Sequence, residues 1–206
     1  MSHDAVGERI RAWAFEHHNH AIDAALAELV AGREDLVLGD GDIAVIATWT
    51  LSDRELPEGD TLAERYAGRP DLPASERDIA QRIASARLGV YRVRGVQPGR
   101  WIELDDPAGP TTRVLSHDVS RTVRPDDMLV ARPMEGPPSP SLWGPVANLT
   151  PAIGRALVDL LRAHAQALAM PDDPGALGTL MRSASREITT LLAPGLAHAA
   201  ELDRAA

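Results

Sequence analysis

The sequence predicts an α+β fold in which N-terminal helices precede a small β-sheet and C-terminal helices pack back against it. The apolar spacing is helical up to residue 87, alternates over residues 88–149 and becomes helical again from residue 151. Tight-turn sequences, including Pro98–Gly99, interrupt the alternating region. Four or five short strands joined by such turns are typical of a small antiparallel sheet or a partial barrel.

The first predicted helix extends from Asp4 to Ala31. Its apolar residues recur at three- and four-residue spacing on either side of a polar middle, Glu16–His20. The interruption indicates either two shorter helices or one helix with a solvated middle. Asp4 is the expected N-cap, and Gly32 lies where a C-terminal capping glycine is expected.

Three further helices are predicted before the sheet. Residues 43–51 are apolar on nearly all sides, which predicts a buried helix with Asp42 as its cap. Their β-branched residues leave a strand as the alternative, because so short an apolar run has no decisive period. A short helix follows Asp60, and another extends from Ser75 to Arg87 with Ser75 as its cap.

Alternating residues predict strands at 90–96, 101–104, 111–115 and 128–132, and a fifth within 142–149. In the first strand, Arg92 and Arg94 point to the face opposite Val93. In the second strand, Trp101 and Glu103 share one face. The strands therefore predict an outer sheet face that carries arginine and tryptophan.

The helical period returns after the sheet region. Thr150 is the expected cap and Pro151 the first residue of a helix that ends at residue 168. A last helix is predicted over residues 176–192. The predicted organisation is one domain over residues 1–168, made of a helical arm (4–87), a β-meander (88–149) and a helix (151–168), followed by a C-terminal helix and tail over residues 176–206.

Composition excludes several classes of function. The 206-residue chain contains no cysteine, and all 21 basic residues are arginine. The absence of cysteine excludes disulfides, thiol catalysis and cysteine-bound zinc. The absence of lysine excludes Schiff-base catalysis. Because there is neither a signal-peptide pattern nor an apolar run of 18 residues, we expect a cytoplasmic protein without a membrane partner.

The charge is unevenly distributed. The net charge of −9 disfavours general binding to nucleic acid. From Arg82 to Arg132, however, nine arginines accompany six acidic residues. The predicted partner-binding residues lie in this region; they are Arg92, Arg94 and Trp101, extended by Arg121 and Arg124 if the fold brings them near.

Two interpretations of these residues are open. Arginines that alternate with an exposed aromatic residue suit an acidic protein partner or a single nucleic-acid strand. In the other interpretation, Trp101 packs under a helix and the arginines pair with Glu103 or Asp105. The acidic character of the whole chain favours the second interpretation.

Histidines in the first helix form a candidate metal site. His17 and His20 lie near further polar residues, and on a continuous helix Glu16, His20 and Asp23 share one face. The spacing matches no specific metal-binding template. A solvated stretch of helix is therefore the favoured interpretation.

Other polar clusters have structural interpretations. The sequence Ser116–Asp118 contains the three residue types of a catalytic triad, but consecutive residues cannot chain their side chains in that way, so a turn is expected. The acidic pair Asp40 and Asp42 is expected to cap a helix, and the pair Asp105 and Asp106 to form a turn. Cation binding by oxygen ligands is the alternative for both pairs.

Four segments resemble, in order and spacing, an uncharacterised bacterial protein family whose members often carry a SEC-C zinc-binding motif. They are TWTLSD (48–53), GDTLAERY (59–66), ARLGVYRVRGVQPG (86–99) and SRTVRPDDMLVAR (120–132). The resemblance covers about residues 40–135. This chain cannot carry the zinc motif itself, because that motif requires cysteine. The resemblance implies an architecture and no particular activity.

The sequence therefore predicts a non-catalytic module that holds a protein partner through the arginine-bearing sheet face or through a groove between sheet and helices. No cofactor is expected. Single-stranded nucleic-acid binding by the same face is one alternative. A metal-assisted hydrolase that uses the region His17–His20 is the other.

Overall fold

The computed structural model of the chain describes residues 2–30, 36–107, 109–137, 139–171 and 174–193. It confirms the α+β class, because helices precede and follow a single sheet. The chain divides into two compact units. The helical unit contains the chain up to Ser85 and the chain from Ala184 onward, and the sheet unit contains Ala86–Ser183. The single domain over residues 1–168 stays a prediction.

The described helices of the helical unit are α1 (His3–His17), α2 (Asn19–Val30), α3 (Asp40–Ser52), α4 (Leu62–Ala67), α5 (Ala74–Ser85) and α9 (Ser185–Leu192). Two helices, α1 and α2, occupy the segment for which one long helix was the first prediction. The backbone of His18, with φ −134° and ψ 30°, leaves the helical region and separates them. Gly32 and the predicted tail after residue 193 lie outside the described residues.

The N-terminal caps differ from the predicted ones. The side chain of Ser2, not Asp4, caps α1 by accepting a hydrogen bond from the Ala5 backbone N–H at 3.2 Å. Residues 43–51 are helical, so the strand alternative was wrong. Their helix begins after Gly39, whose N–H donates to the Asp42 carboxylate at 2.8 Å. Asp42, in the first turn, therefore caps the N-terminus of the helix by accepting the hydrogen bond of the Gly39 N–H.

Thr61 and Ser75 lie at the starts of the next two helices, α4 and α5. Thr61 caps α4 by accepting a hydrogen bond from the Glu64 N–H, and the carboxylate of Asp60 binds the guanidinium of Arg65. Ser75 lies inside α5 rather than at its cap. The helix predicted over residues 176–192 was wrong as a single element, since the chain there forms two helices.

The sheet unit contains β1 (Gly89–Gln97), β2 (Trp101–Asp105), β3 (Thr111–Leu115), α6 (Val119–Thr122), β4 (Met128–Ala131), β5 (Pro133–Met134), β6 (Ser141–Leu142), β7 (Ala147–Leu149), α7 (Pro151–Ala167) and α8 (Pro174–Ser183). Thr150 caps α7 and Pro151 begins it, as predicted. The fifth predicted strand is divided between β6 and β7. No helix in the described part of the chain is both long and apolar enough to cross a bilayer.

The sheet is curled. Its strand order is β5-β6-β3-β2-β1-β4-β7, with antiparallel neighbours except for β3 and β6, which pair parallel. Ala131 ends β4 and Pro133 begins β5, although these strands lie near opposite edges. Two residues span at most about 7 Å. The sheet must therefore curl until its edges approach each other, as the predicted partial barrel requires.

One face of the curled sheet encloses the core of the unit. Its buried residues are Val93, Ile102, Leu104, Val114, Val123, Leu129 and Ala131. Those that belong to strands alternate with residues that point to the opposite face, and Val123 follows α6. That opposite face, the outer face, carries three of the predicted partner-binding residues, Arg92, Arg94 and Trp101.

Candidate functional site

The candidate site lies on the outer face of β1, β2 and β3. Trp101, Glu103 and Asp105 point outward from β2, because Ile102 and Leu104 between them are buried. Residues that face each other across an antiparallel ladder share a face. Arg92 of β1 lies opposite Asp105, and Arg113 of β3 lies opposite Glu103. The arginine face is defined here as Arg92, Arg94, Trp101, Glu103, Asp105 and Arg113.

Charges on the arginine face form stripes that follow the strands. The acidic residues belong to the middle strand, and an arginine reaches each of them from one side. Arg92 donates from Nη2 to Asp105 Oδ2 at 2.8 Å, and Arg113 donates to Glu103 Oε1 at 3.2 Å. The hydrogen bond from Arg92 is the main reason that the pKa of Asp105 lies below its ordinary value. The predicted pairing of sheet arginines with acidic neighbours is thus present for Arg92.

Arg94 differs from the other two arginines. It lies at an irregularity in the β1–β2 register, between Val93 and Gly95. Its guanidinium reaches β3, where Nη1 lies 3.3 Å from the Thr111 hydroxyl oxygen. Within the described residues, no carboxylate forms an ion pair with Arg94. Its charge is therefore the most available on the face.

Trp101 provides the apolar end of the face. Its side chain is half-buried, and the guanidinium carbon of Arg113 stands 4.3 Å from the centroid of its ring. Leu115 lies opposite Trp101 in the ladder and is exposed. The stacked pair and the leucine offer a partner a flat surface with both apolar and cationic character.

Helix α7 covers the other part of the outer face. Gly154 of α7 packs on Met128, and a β-carbon at residue 154 would lie only 2.2 Å from the Met128 Cβ. Met128 is opposite Arg92 in the β1–β4 ladder, so helix and arginine share a face of the sheet. Between them lies a groove of about 270 Å³, which adds Arg155 and Arg162 of α7 to Arg92.

The remaining predicted arginines lie at the edge of the site. Arg121 approaches the β1–β2 turn, where its Nε would lie 3.4 Å from a β-carbon on Gly99. The backbone N–H of Arg124 donates to the Asp127 carboxylate in the loop before β4. Val123, between the two arginines, packs into the core behind the opposite face. The structure therefore does not bring Arg121 and Arg124 into the row formed by Arg92 and Arg94.

The histidine region does not form the predicted helical face. Because the chain breaks at His18, Glu16 and His20 belong to different helices. His17 lies 3.7 Å from the Glu16 carboxylate, and Asp23 accepts a hydrogen bond from Asn19. No group of three or more acidic or histidine residues suited to a metal ion is found among the described residues.

The segment that contains His117 is a turn, as predicted. His117 and Asp118 have side-chain atoms 3.1 Å apart, and both side chains are exposed. The hydroxyl of Ser120 donates to the His117 carbonyl, which joins the turn to α6. The neighbouring side chains therefore have structural partners.

Three arginines of this site were missed from the sequence. Arg113 becomes significant only through the β2–β3 register, which places it beside Trp101. Arg155 and Arg162 are seven residues apart, so they lie on one side of a helix. That spacing was visible in the sequence, but the face of the sheet that α7 covers was not.

Comparison of the chain with models of known families, with curated proteins and with solved structures finds no match.

Proposed function

We propose that the chain is a non-catalytic interaction module that binds a partner protein on the arginine face and in the adjoining groove. The striped arrangement of charge carries the proposal. Acidic residues of the middle strand lie between arginines of both neighbouring strands, so the face is mixed in sign. Mixed charge beside a half-buried tryptophan suits a protein surface that has groups of both signs.

The same stripes argue against a nucleic-acid strand. A phosphate backbone that lay across the face would meet Glu103 and Asp105 as well as the arginines, and its affinity depends on net positive charge. The partner surface should instead have a carboxylate that reaches Arg94. It should also have an apolar or aromatic group that packs on Trp101, because Trp and Arg dominate the energetics of many protein interfaces.

The test is site-specific photo-crosslinking in cells that express the chain, with the crosslinker at residue 94 or, as a control, at residue 100. Arg100 is exposed and precedes Trp101, so it does not lie on the arginine face. We expect a protein adduct from residue 94 and none from residue 100. The captured partner is then titrated with the purified chain.

In that titration, Arg94→Ala and Trp101→Ala should each weaken binding about tenfold or more. Arg100→Ala removes the same charge and should leave affinity unchanged. Equal effects of all three substitutions would rule out binding on this face. Binding of a labelled single-stranded oligonucleotide that falls steeply with salt and is lost in Arg94→Ala would favour the nucleic-acid alternative instead.

A further inference from the structure

The helical unit carries an apolar groove on the surface formed by α1, α2 and α3. Three large apolar side chains are exposed there: Phe15 is 59% exposed, Ile43 54% and Leu26 37%. They line a groove of about 230 Å³ whose floor includes the buried Ile46 and Leu51. An exposed apolar surface with a shaped floor is characteristic of a binding site.

The lining of the groove contains few polar groups. The only polar residues in its lining, within the described part of the chain, are Arg11 and Thr50. The Thr50 hydroxyl donates to the Ile46 carbonyl at 2.9 Å, and Arg11 forms an ion pair with Glu8. Both polar side chains are therefore already engaged, and the groove offers an occupant mainly apolar contact.

The border of the groove is acidic. Asp23 precedes Leu26 by three residues, and Asp40 precedes Ile43 by three residues, so each carboxylate neighbours an exposed apolar side chain on its own helix. Within the described residues, no arginine forms an ion pair with Asp23 or Asp40. An occupant that packs into the groove thus meets Arg11, which is paired with Glu8, and two carboxylates that form no ion pair with an arginine of the described residues.

We infer that the groove binds a basic amphipathic helix of a partner protein. Such a helix places apolar residues of one face in the groove and directs lysines or arginines toward the acidic border. A second copy of this chain fits poorly, because it would bring the same acidic border into contact with itself. The chain outside residues 86–183 contains 20 acidic residues and 10 arginines, which increases that repulsion.

The probe is a fluorescently labelled leucine–lysine peptide of about 14 residues, or four helical turns, with leucines on one face. Its fluorescence anisotropy is titrated with the full chain. A leucine–glutamate peptide of the same pattern and an alanine–lysine peptide are the matched controls. We expect saturable binding of the leucine–lysine peptide alone, because the groove requires apolar contact and the border requires positive charge.

Substitutions in and outside the groove test whether the peptide binds there. Phe15→Ala with Ile43→Ala should weaken binding at least about tenfold. Asp23→Asn with Asp40→Asn should weaken it about threefold and reduce its salt dependence. Ile153→Ala with Leu160→Ala, which removes exposed apolar side chains from α7, is the matched control and should have no effect. All these residues are exposed, so the variants are expected to fold.

Several outcomes contradict the inference. They are the absence of saturable binding, equal binding of the leucine–glutamate peptide, or equal weakening by the α7 variant. A concentration-dependent dimer that Phe15→Ala dissociates would show that a second copy occupies the groove instead. An apolar dye that binds there and is not displaced by the peptide would indicate a small-molecule site. Arg94→Ala should not affect the peptide, so failure here is distinguishable from failure of the arginine-face proposal.

Discussion

One carboxylate of the helical unit and two of the sheet unit form ion pairs at different degrees of burial. In the helical unit, Glu76 has a side chain only 4% exposed, yet it forms an ion pair with Arg9 and accepts the Tyr66 hydroxyl at 2.6 Å. In the sheet unit, Asp105 and Glu103, which pair with Arg92 and Arg113, are 31% and 27% exposed. The arginines are about equally exposed in the two units, so the difference lies in the carboxylates. A buried carboxylate that loses its partners is left unsatisfied away from water, whereas a more exposed carboxylate can exchange its arginine for water or for a partner's charges.

Ion pairs between arginine and a carboxylate therefore have different roles in the two units. Glu76 joins α5 to α1 and α4, and the ring of Tyr66 also meets Trp13 edge-on at 5.3 Å. Burial, followed by the hydrogen bond to Glu76, raises the pKa of Tyr66 to about 12. This network stabilises the helical unit. Partly exposed ion pairs such as those of the arginine face typically contribute little stability, which leaves their residues available for recognition.

The strongest test of the comparison is Glu76→Ala. Removal of this carboxylate leaves the buried Tyr66 hydroxyl without its acceptor and opens a cavity, so the free energy of unfolding should fall by about 2–3 kcal/mol. Urea denaturation followed by circular dichroism measures the loss. Spectrophotometric titration should also show the Tyr66 pKa lower than in the parent chain.

Glu103→Ala is the control, because it removes one carboxylate from the arginine face. Its effect on the free energy of unfolding should stay within about 0.5 kcal/mol. Comparable losses in Glu76→Ala and Glu103→Ala would contradict the distinction between a buried structural pair and an exposed pair.

A smaller effect is expected from His18, at the break between α1 and α2. Burial, and next the positive charge of Arg65, lower its pKa below the ordinary value of 6.5. The unfolded chain therefore binds the proton more readily than the folded chain does. The contribution of His18 to the free energy of unfolding is therefore fully present above pH 6.5, and it declines as the pH falls toward the pKa of His18 in the folded chain.

His18→Gln should remove this decline while the parent chain retains it. Thermal unfolding at a series of pH values between neutrality and the range in which carboxylates titrate measures the difference. His117→Gln is the matched control, since His117 is exposed in a turn of the sheet unit. Identical pH profiles of the parent and His18→Gln would show that His18 has no such role.

The smallest effect is expected for the pair Arg113 and Glu103. A double-mutant cycle with Arg113→Ala and Glu103→Ala should give a coupling free energy of about 0.2–1 kcal/mol, which decreases with added salt. Arg113→Ala should also change the fluorescence of Trp101, because the guanidinium covers its ring. A coupling energy far above that of exposed pairs would show that the arginine face is structural.

Much of the fold follows from local patterns. Alternation of Ile102 and Leu104 with polar neighbours predicted β2, and Thr150 with Pro151 predicted the start of α7. Capping was less predictable, since several polar residues near a helix start compete for the same N–H groups. At the start of α1, for example, Ser2 and not Asp4 accepts the hydrogen bond from the Ala5 N–H.

The candidate site was predictable only in part. Arg92, Arg94 and Trp101 were expected on one face because alternation along a strand is a local property. Arg113 was missed because its place beside Trp101 depends on the register between two strands. The apolar groove was missed as well, since its walls come from α1, α2 and α3, and helical spacing alone does not show which apolar residues stay exposed.

The sequence by itself determined the α+β class, the change from helical to alternating period and the concentration of arginine in the sheet region. These properties depend on residues close together in the chain, where spacing and turn chemistry act directly. Only the tertiary structure decided which residues of the sheet α7 covers, and that Glu76 is nearly fully buried while Glu103 is not. Those outcomes depend on which distant surfaces exclude water together, and no local pattern specifies that.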